Sequence, residues 1–388
     1  MIYFYWIVGS LLALTWFSRL VSAALGVPKV SDIALPDWNR KPPGNPRISL
    51  IVPARNEEEH VEQALSQLLD LDYDNYEVIA VNDRSVDRTG EVMDRVAASP
   101  KAHGRLRVIH IRELPEGWLG KAHAMWSAAK QASGDWLLFT DADVFFQPEV
   151  LNRALTYAEA EHADHVVLFP SFTMHGPGER MMIAFFQALF VFGHRPWKVA
   201  DPKTKDFMGV GAFNLIRRKV YEAIGTYEAL RFEVLDDMKL GKLVKTSGFA
   251  QRNVFGHGLI LIRWAKGALG VVQNLTKNMF AVMSFQWWRA VAGVIALIVL
   301  NLVPFAGVVL APGWTRVPYL LAVACIFGIY VGMSWLSNVR PYYFVLHPVS
   351  SVLFIYIVLR SMALTLIKGG VLWRGTFYPL DKLRRGLV

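Results

Sequence analysis

The chain holds a single cysteine, Cys325, among 388 residues. One thiol cannot form an internal disulfide, which excludes a secreted disulfide scaffold and any cysteine-based metal or thioredoxin-like motif. Charge is also scarce. Charged residues make up 19% of the chain and apolar ones 53%, a balance that excludes a disordered or fibrous protein. Internal repeats and low-complexity segments are lacking, and the ten histidines show no metal-ligand spacing. Acids are the minority sign, 32 against 41 Lys plus Arg, for a formal charge of +9. That excess suits nucleic acid, an anionic membrane surface or a phosphorylated substrate. The basic residues are scattered or juxtamembrane and form no stripe, so no nucleic-acid partner is expected.

The apolar excess is concentrated at the ends. Residues 1–27 lack the basic start of a signal peptide and carry Tyr3, Tyr5 and Trp6 as an aromatic anchor, which favours a retained transmembrane helix. A Pro-rich linker fills 28–46. Near the other end, 266–289 reads as an interfacial helix region and 290–367 as transmembrane or re-entrant segments in three apolar blocks. The third block, Tyr342 to Ile367, is interrupted by His347, Pro348 and Arg360. The tail, 368–388, carries Lys368, Arg374, Lys382, Arg384 and Arg385 against Asp381 alone, which places it in the cytoplasm by the positive-inside rule. With the middle domain also cytoplasmic, three full crossings between the two are impossible, and the third block is the candidate for a re-entrant or interfacial segment.

The middle, 47–265, alternates β-branched runs with helical periodicity. Arg47 to Pro53, Tyr76 to Asn82, Leu106 to Ile111, Trp136 to Phe139 and His165 to Phe169 read as strands. Such alternation predicts an α/β domain with a mostly parallel sheet covered on both faces. Ligands bind such sheets beyond the carboxyl ends of the strands, and there the sequence places Pro53-Ala-Arg-Asn-Glu57, Asn82-Asp-Arg-Ser-Val-Asp-Arg-Thr89 and Thr140-Asp-Ala-Asp-Val144. Singly these are caps, turns or solvated loops. Gathered on one edge they repel one another and add no stability. In an extended segment Asp141 and Asp143 point the same way, as a hard cation shared with substrate phosphates requires. Lys121 would add a second positive charge; alone it reads as a surface lysine opening a helix.

In order and spacing, Pro53-Ala-Arg-Asn-Glu57, Val81 to Thr89, Gly120-Lys-Ala-His-Ala124, Thr140-Asp-Ala-Asp143 and Leu235-Asp-Asp237 resemble the signature of the family 2 glycosyltransferases. The resemblance implies a GT-A fold, a nucleotide-sugar donor such as a UDP- or GDP-sugar, a divalent metal (Mg²⁺ or Mn²⁺) and inversion at the anomeric carbon. It places Ala54 and Glu57 at the nucleoside, Asp83 at the base, Asp141 at the ribose and sugar, and Asp143 as main metal ligand with Asp141. In the pair Asp236-Asp237 the second acid is the general base; an acidic first helix turn is the bland alternative. Arg263-Trp264 matches part of a motif of processive members, with Ile260 departing from it. The dipeptide is either a diphosphate clamp or an interfacial pair. Gly209 and Gly211 lie beside the donor sugar or form a plain tight turn, and His257 reads as structural.

Met181 to Phe192 is too short to span and reads as either buried core or, preferably, an interfacial helix. A domain anchored at both ends resembles the lipid-glycosylating branch of the family, whose members act on ceramides, carotenoid acids and hopanoid-type lipids, and the ending Leu372 to Leu380 is similar to that branch. The expected activity is transfer to the hydroxyl of a membrane lipid at the cytoplasmic face of the plasma (inner) membrane. Transfer to a polyprenyl phosphate and a catalytically silent membrane scaffold are the alternatives.

Overall fold

The computed structural model describes residues 1–337 and 339–387; Asn338, inside the C-terminal apolar region, and Val388, the last residue of the basic tail, lie outside the described residues. In chain order the elements are α1 (Ile2–Gly26), β1 (Ile48–Ala54), α2 (Val61–Leu69), β2 (Tyr76–Asp83), α3 (Thr89–Ala97), β3 (Leu106–Ile111), α4 (Gly120–Gln131), β4 (Trp136–Phe139), β5 (Val144–Phe146) and α5 (Val150–Ala160). Then come β6 (His165–Leu168), β7 (Ser171–Phe172), α6 (Pro177–Gly193), β8 (Asn214–Arg217), α7 (Arg218–Ala223), α8 (Asp236–Thr246), β9 (Gln251–Val254), β10 (Ile260–Ile262) and α9 (Gly267–Val282). The chain closes with α10 (Trp287–Leu297), α11 (Val303–Leu310), α12 (Val317–Ser334), α13 (His347–Lys368), the hairpin β11 (Gly370–Trp373) and β12 (Thr376–Pro379), and α14 (Leu380–Arg385). These divide into two compact units, an α/β unit (Val30–Thr173, Pro196–Arg263 and the last four residues) and a helical unit (Met1–Lys29, Met174–Arg195 and Trp264–Arg384).

In the α/β unit a seven-stranded sheet runs β3-β2-β1-β4-β8-β6-β9. Only β8 is reversed: it pairs antiparallel with both neighbours, while the other pairs are parallel. Runs such as Ile48-Ser-Leu-Ile-Val are apolar without alternation because both sheet faces are covered, and Leu50, Val52, Val78 and Ala80 are fully buried. A second, three-stranded sheet, β5-β10-β7, projects the chain beyond β4. The linker is pinned to α5 by Arg153, whose Nη1 donates to the carbonyls of Ile33, Ala34 and Leu35 at 3.0, 3.0 and 2.9 Å.

Among the described residues the helical unit has four helices long and apolar enough to cross a membrane: Ile2–Lys29, Trp287–Leu310, Gly313–Ser334 and Pro341–Lys368. Close helix approach uses small residues, as Gly9 does against Pro318 and Tyr319, where an added Cβ would meet side-chain atoms at 2.8 and 2.9 Å. Within the third apolar block a 3₁₀ segment, Pro341–Leu346, gives way to α13 at His347, with Pro348 in the first turn, where a missing N–H costs no helix bond; Arg360 Nη1 donates to Thr276 Oγ1 at 2.9 Å. The Met181 to Phe192 segment lies inside α6, whose Met182, Ile183 and Phe185 are at most 1% exposed. On the same helix Phe186, Leu189, Phe190 and Phe192 are half-buried.

Candidate active site

The loops after β1 and β2 are laced together. The Asn56 N–H donates to Ser85 Oγ at 3.1 Å, its Oδ1 accepts from the Val86 N–H at 2.9 Å, and the Glu57 N–H donates to Thr89 Oγ1 at 2.8 Å. Asp87 accepts from the Thr89 N–H and hydroxyl at 3.0 and 2.6 Å. Asn56, Ser85 and Asp87 therefore fill the structural roles open to caps and turn residues. Ala54 is buried at the end of β1 and lies in register with Asn82 of β2, one residue before Asp83.

Asp83 itself is buried, and Arg84 grips its carboxylate with two bonds, Nε to Oδ1 at 2.7 Å and Nη2 to Oδ2 at 3.0 Å. Arg84 holds this position from the left-handed region, at φ 56. Gly120, opening α4, fits beneath the pair: a Cβ there would meet Asp83 Oδ2 at 2.6 Å. Its lack of a side chain lets the first turn of α4, and with it Lys121, reach the strand ends. The Leu119 N–H donates to the Arg231 carbonyl at 2.7 Å, joining this turn to the segment that leads into α8.

Around Lys121 three acids gather. Lys121 Nζ lies 2.7 Å from Asp141 Oδ1, just past β4, and 3.8 Å from Asp236 Oδ2 in the first turn of α8. Asp237 Oδ2 accepts the Gly211 N–H at 2.8 Å and its Oδ1 accepts the Met238 N–H at 2.7 Å. Gly211 sits against both carboxylates, since a Cβ there would lie 2.7 Å from Asp141 Oδ2 and 3.5 Å from Asp237 Oδ2. Burial opposes the charge on Lys121, but Asp141, Asp236 and Asp237 outweigh it and hold the ammonium above its usual value. Burial raises Asp236 and Asp237 above the ordinary carboxylate range, with Lys121 working against that rise.

A buried network stands behind this cluster. Gln251 Oε1 accepts the Met208 N–H at 2.9 Å, and its Nε2 faces the carbonyls of Met208 and Gly241 at 3.0 and 3.1 Å and His165 Nδ1 at 2.8 Å. His165 Nε2 meets Asn214 Oδ1 at 3.2 Å, and Asn214 Nδ2 donates to the Val210 carbonyl at 2.7 Å. These bonds fix the loop that carries Gly211 to Asp237. Burial pushes His165 down to about 4, so it is neutral. Gly209 and Gly241 complete the fit, because a Cβ on either would collide with the Asp237 or Met208 carbonyl oxygen. The sequence carried no sign of Gln251, His165 or Asn214: they lie up to 86 residues apart and belong to no local motif.

Asp143 is exposed, in a turn between β4 and β5 rather than in the extended segment expected, because the chain must bend there to enter the second sheet. β10 returns antiparallel to β5 with Ile262 opposite Val144 as the last pair, and Arg263 and Asp143 are the residues just beyond it. The Arg263-Trp264 dipeptide is divided between the units. Trp264 packs its ring 4.8 Å from that of Phe186 on α6, and its carbonyl accepts from Asn274 Nδ2. His257 Nδ1 pairs with Asp32 Oδ2 at 2.7 Å, a structural role. Among the described residues no three His, Cys, Asp or Glu side chains form a metal cage.

A largely parallel sheet with acids and a lysine gathered past its strand ends, accompanied by apolar helices, is the GT-A architecture of nucleotide-sugar transferases. In overall structure the chain is similar to the mannosyltransferase PcManGT from Pyrobaculum calidifontis, determined with GDP-Man and Mn²⁺, with a TM-score of 0.55 and 17% identity over 94% of this chain and 99% of that one. The family profile described as Glycosyl transferase family 2 matches residues 49–225. Residues 49–225 are thus a family 2 glycosyltransferase domain, in a chain that also carries helices long and apolar enough to cross a membrane. It is 24% identical to 4,4'-diaponeurosporenoate glycosyltransferase of Staphylococcus haemolyticus over 60% of each chain. It is 31% identical to beta-monoglucosyldiacylglycerol synthase of Synechocystis over 39% of this chain and 32% of that one. The aligned stretches thus cover less than two thirds of these relatives.

Proposed function

We propose that the protein transfers a sugar, with inversion, from a UDP- or GDP-sugar to the hydroxyl of a membrane lipid at the cytoplasmic face of the inner membrane. The observation that carries this reading is Asp237: a carboxylate held by two backbone N–H groups, beside Lys121 and Asp141. Asp237 takes the proton of the acceptor hydroxyl as its oxygen attacks the anomeric carbon. The bond from that carbon to the diphosphate breaks, and its electron pair leaves with the nucleoside diphosphate. A carboxylate whose affinity for protons is raised by burial is a better base than a solvated one. Ala54, Glu57 and Asp83 receive the nucleoside, and Lys121 and Arg263 face the diphosphate.

Asp143 and Asp141 fit a divalent metal by donor chemistry. Both are hard oxygen ligands, Asp143 is open to solvent, and a pair of carboxylates completed by donor phosphates is how such ions are commonly held. Bound there, Mg²⁺ or Mn²⁺ supplies positive charge to the departing diphosphate. The lipid acceptor rests on the names of the two relatives and on the apolar helices of the same chain.

The test is incubation of the purified protein, in lipid, with UDP- and GDP-sugars and Mn²⁺, followed by mass spectrometry of the lipids. A glycosylated lipid, lost in Asp143→Ala, is expected; no transfer from any nucleotide sugar, or an Asp143→Ala protein of full activity, overturns the reading. Asp237→Asn separates the rival acceptor, because a polyprenyl phosphate is already ionised and needs no base.

A further inference from the structure

α13 runs directly into a hairpin. Lys368 ends the helix, Gly369 takes the left-handed conformation at φ 67, and β11 and β12 follow, joined at Arg374-Gly375 with φ 45 and 77. Two central residues of positive φ give the tight turn whose twist matches paired strands. Alternation along the strands then sorts the side chains. The cross-strand partners Val371 and Tyr378 face inward, 6% and 7% exposed, whereas the next pair, Leu372 and Phe377, faces outward at 56% and 48%. Gly370 packs so closely on the Tyr378 carbonyl and the Phe377 ring that no Cβ fits. The hairpin is thus seated on its inner face and apolar on its outer one. That outer face continues Leu366 and Ile367, which end α13 at 42% and 82% exposure.

Cations and tryptophans surround it at the same end of the helical unit. Arg384 Nη2 donates to the Phe285 carbonyl at 2.8 Å, tying α14 to the turn before α10. There Trp287 and Trp288 are 61% and 54% exposed, with the Arg289 guanidinium 5.2 Å from the Trp288 ring centre. Lys277 Nζ lies 5.7 Å from the Trp373 ring centre. Lys368, Arg374 at the turn and Lys382 add positive charge, against Asp381 as the acid of this stretch. Exposed tryptophan with lysine and arginine at the end of an apolar span marks the headgroup layer of a bilayer, and a basic rim is attracted to an anionic leaflet.

We propose that the β11–β12 hairpin is a membrane-seated finger that lies in the headgroup layer of an anionic leaflet, with Leu372 and Phe377 at the acyl boundary and Arg374 on lipid phosphate. The partner is the phospholipid surface itself; this requires nothing of the sugar-transfer chemistry.

The full chain, with Cys325→Ser to remove the native thiol, is reconstituted into vesicles of phosphatidylcholine with or without phosphatidylglycerol. An environment-sensitive fluorophore is placed at Leu372→Cys, and in a second protein at Phe377→Cys. Expected are blue-shifted emission, quenching by lipid-borne nitroxide rather than aqueous iodide, and a deeper position in the vesicles containing phosphatidylglycerol. Arg374→Glu removes that dependence on anionic lipid. Iodide quenching at both positions in both vesicles, in protein that retains its native thermal transition, overturns the proposal and leaves the face to a protein partner.

Discussion

Lys121 Nζ lies 2.7 Å from Asp141 and 3.8 Å from Asp236, so one ammonium holds together acids delivered by the end of β4 and the start of α8. It is the element that makes the buried Asp236 carboxylate tolerable beside Asp141 and Asp237. Removing one partner of a buried ion pair leaves an uncompensated charge. Lys121→Met should therefore destabilise the fold by about 3 kcal/mol and abolish transfer, measured by thermal denaturation at neutral pH and by product formation.

Asp237→Asn should separate stability from activity. The folded carboxyl takes up its proton at higher pH than the ordinary value of 3.8. The native state therefore binds the proton more tightly than the unfolded one, and the stability linked to this group is lost as pH rises through the folded value. At neutral pH the asparagine is spared that cost. The variant should melt no lower than the parent at pH 7, while turnover onto a hydroxyl acceptor falls by roughly 10²- to 10⁴-fold.

His165 gives the opposite slope. Its folded value, about 4, lies below the unfolded 6.5, so the unfolded state binds the extra proton between those limits. Stability is intact above the upper limit and declines as pH falls toward the lower, by about 1.4 kcal/mol per pH unit. Comparing melting temperatures of the parent and His165→Asn across this window should show the slope reduced in the variant.

Gln251→Leu should act on catalysis from a distance. It leaves the Met208 N–H without its side-chain acceptor in the core, a cost of about 2 kcal/mol, and loosens the loop that aims Gly211 at Asp237. A lower kcat with the donor KM little changed is expected in steady-state kinetics. Gly241→Ala, which drives a methyl into the Met208 carbonyl, should cost about 1–3 kcal/mol in a denaturation experiment.

The strands that are buried on both faces were legible as apolar runs: β1 to β4 and β6 fall within a residue or so of their expected positions. The reversed strand β8 was not, because Asn214-Leu-Ile-Arg217 is short and bounded by polar residues, and its place between β4 and β6 is decided by pairing rather than composition. The acids past the strand ends could be read because their order along the chain is itself a pattern. What holds them could not. Gly211 donates through its backbone, and Gln251 is an ordinary residue until the fold brings it to Met208. For α6 the sequence favoured an interfacial helix over buried core, and the fold buries Met182 and Phe185 while Phe186 and Phe190 are half-buried.

The α/β unit is not a contiguous stretch of chain: it leaves at Thr173 and resumes at Pro196, with α6 belonging to the helical unit. Trimming both termini therefore does not remove α6. A fragment of residues 30–263 would still carry α6 with Met182, Ile183 and Phe185 stripped of their covering helices, and such a surface invites aggregation. During synthesis the α/β unit up to Arg263 emerges before α9 to α13, so α6 must wait for partners that have yet to be translated. The ribosome hands over this chain with an unfinished apolar helix in the middle of its soluble half.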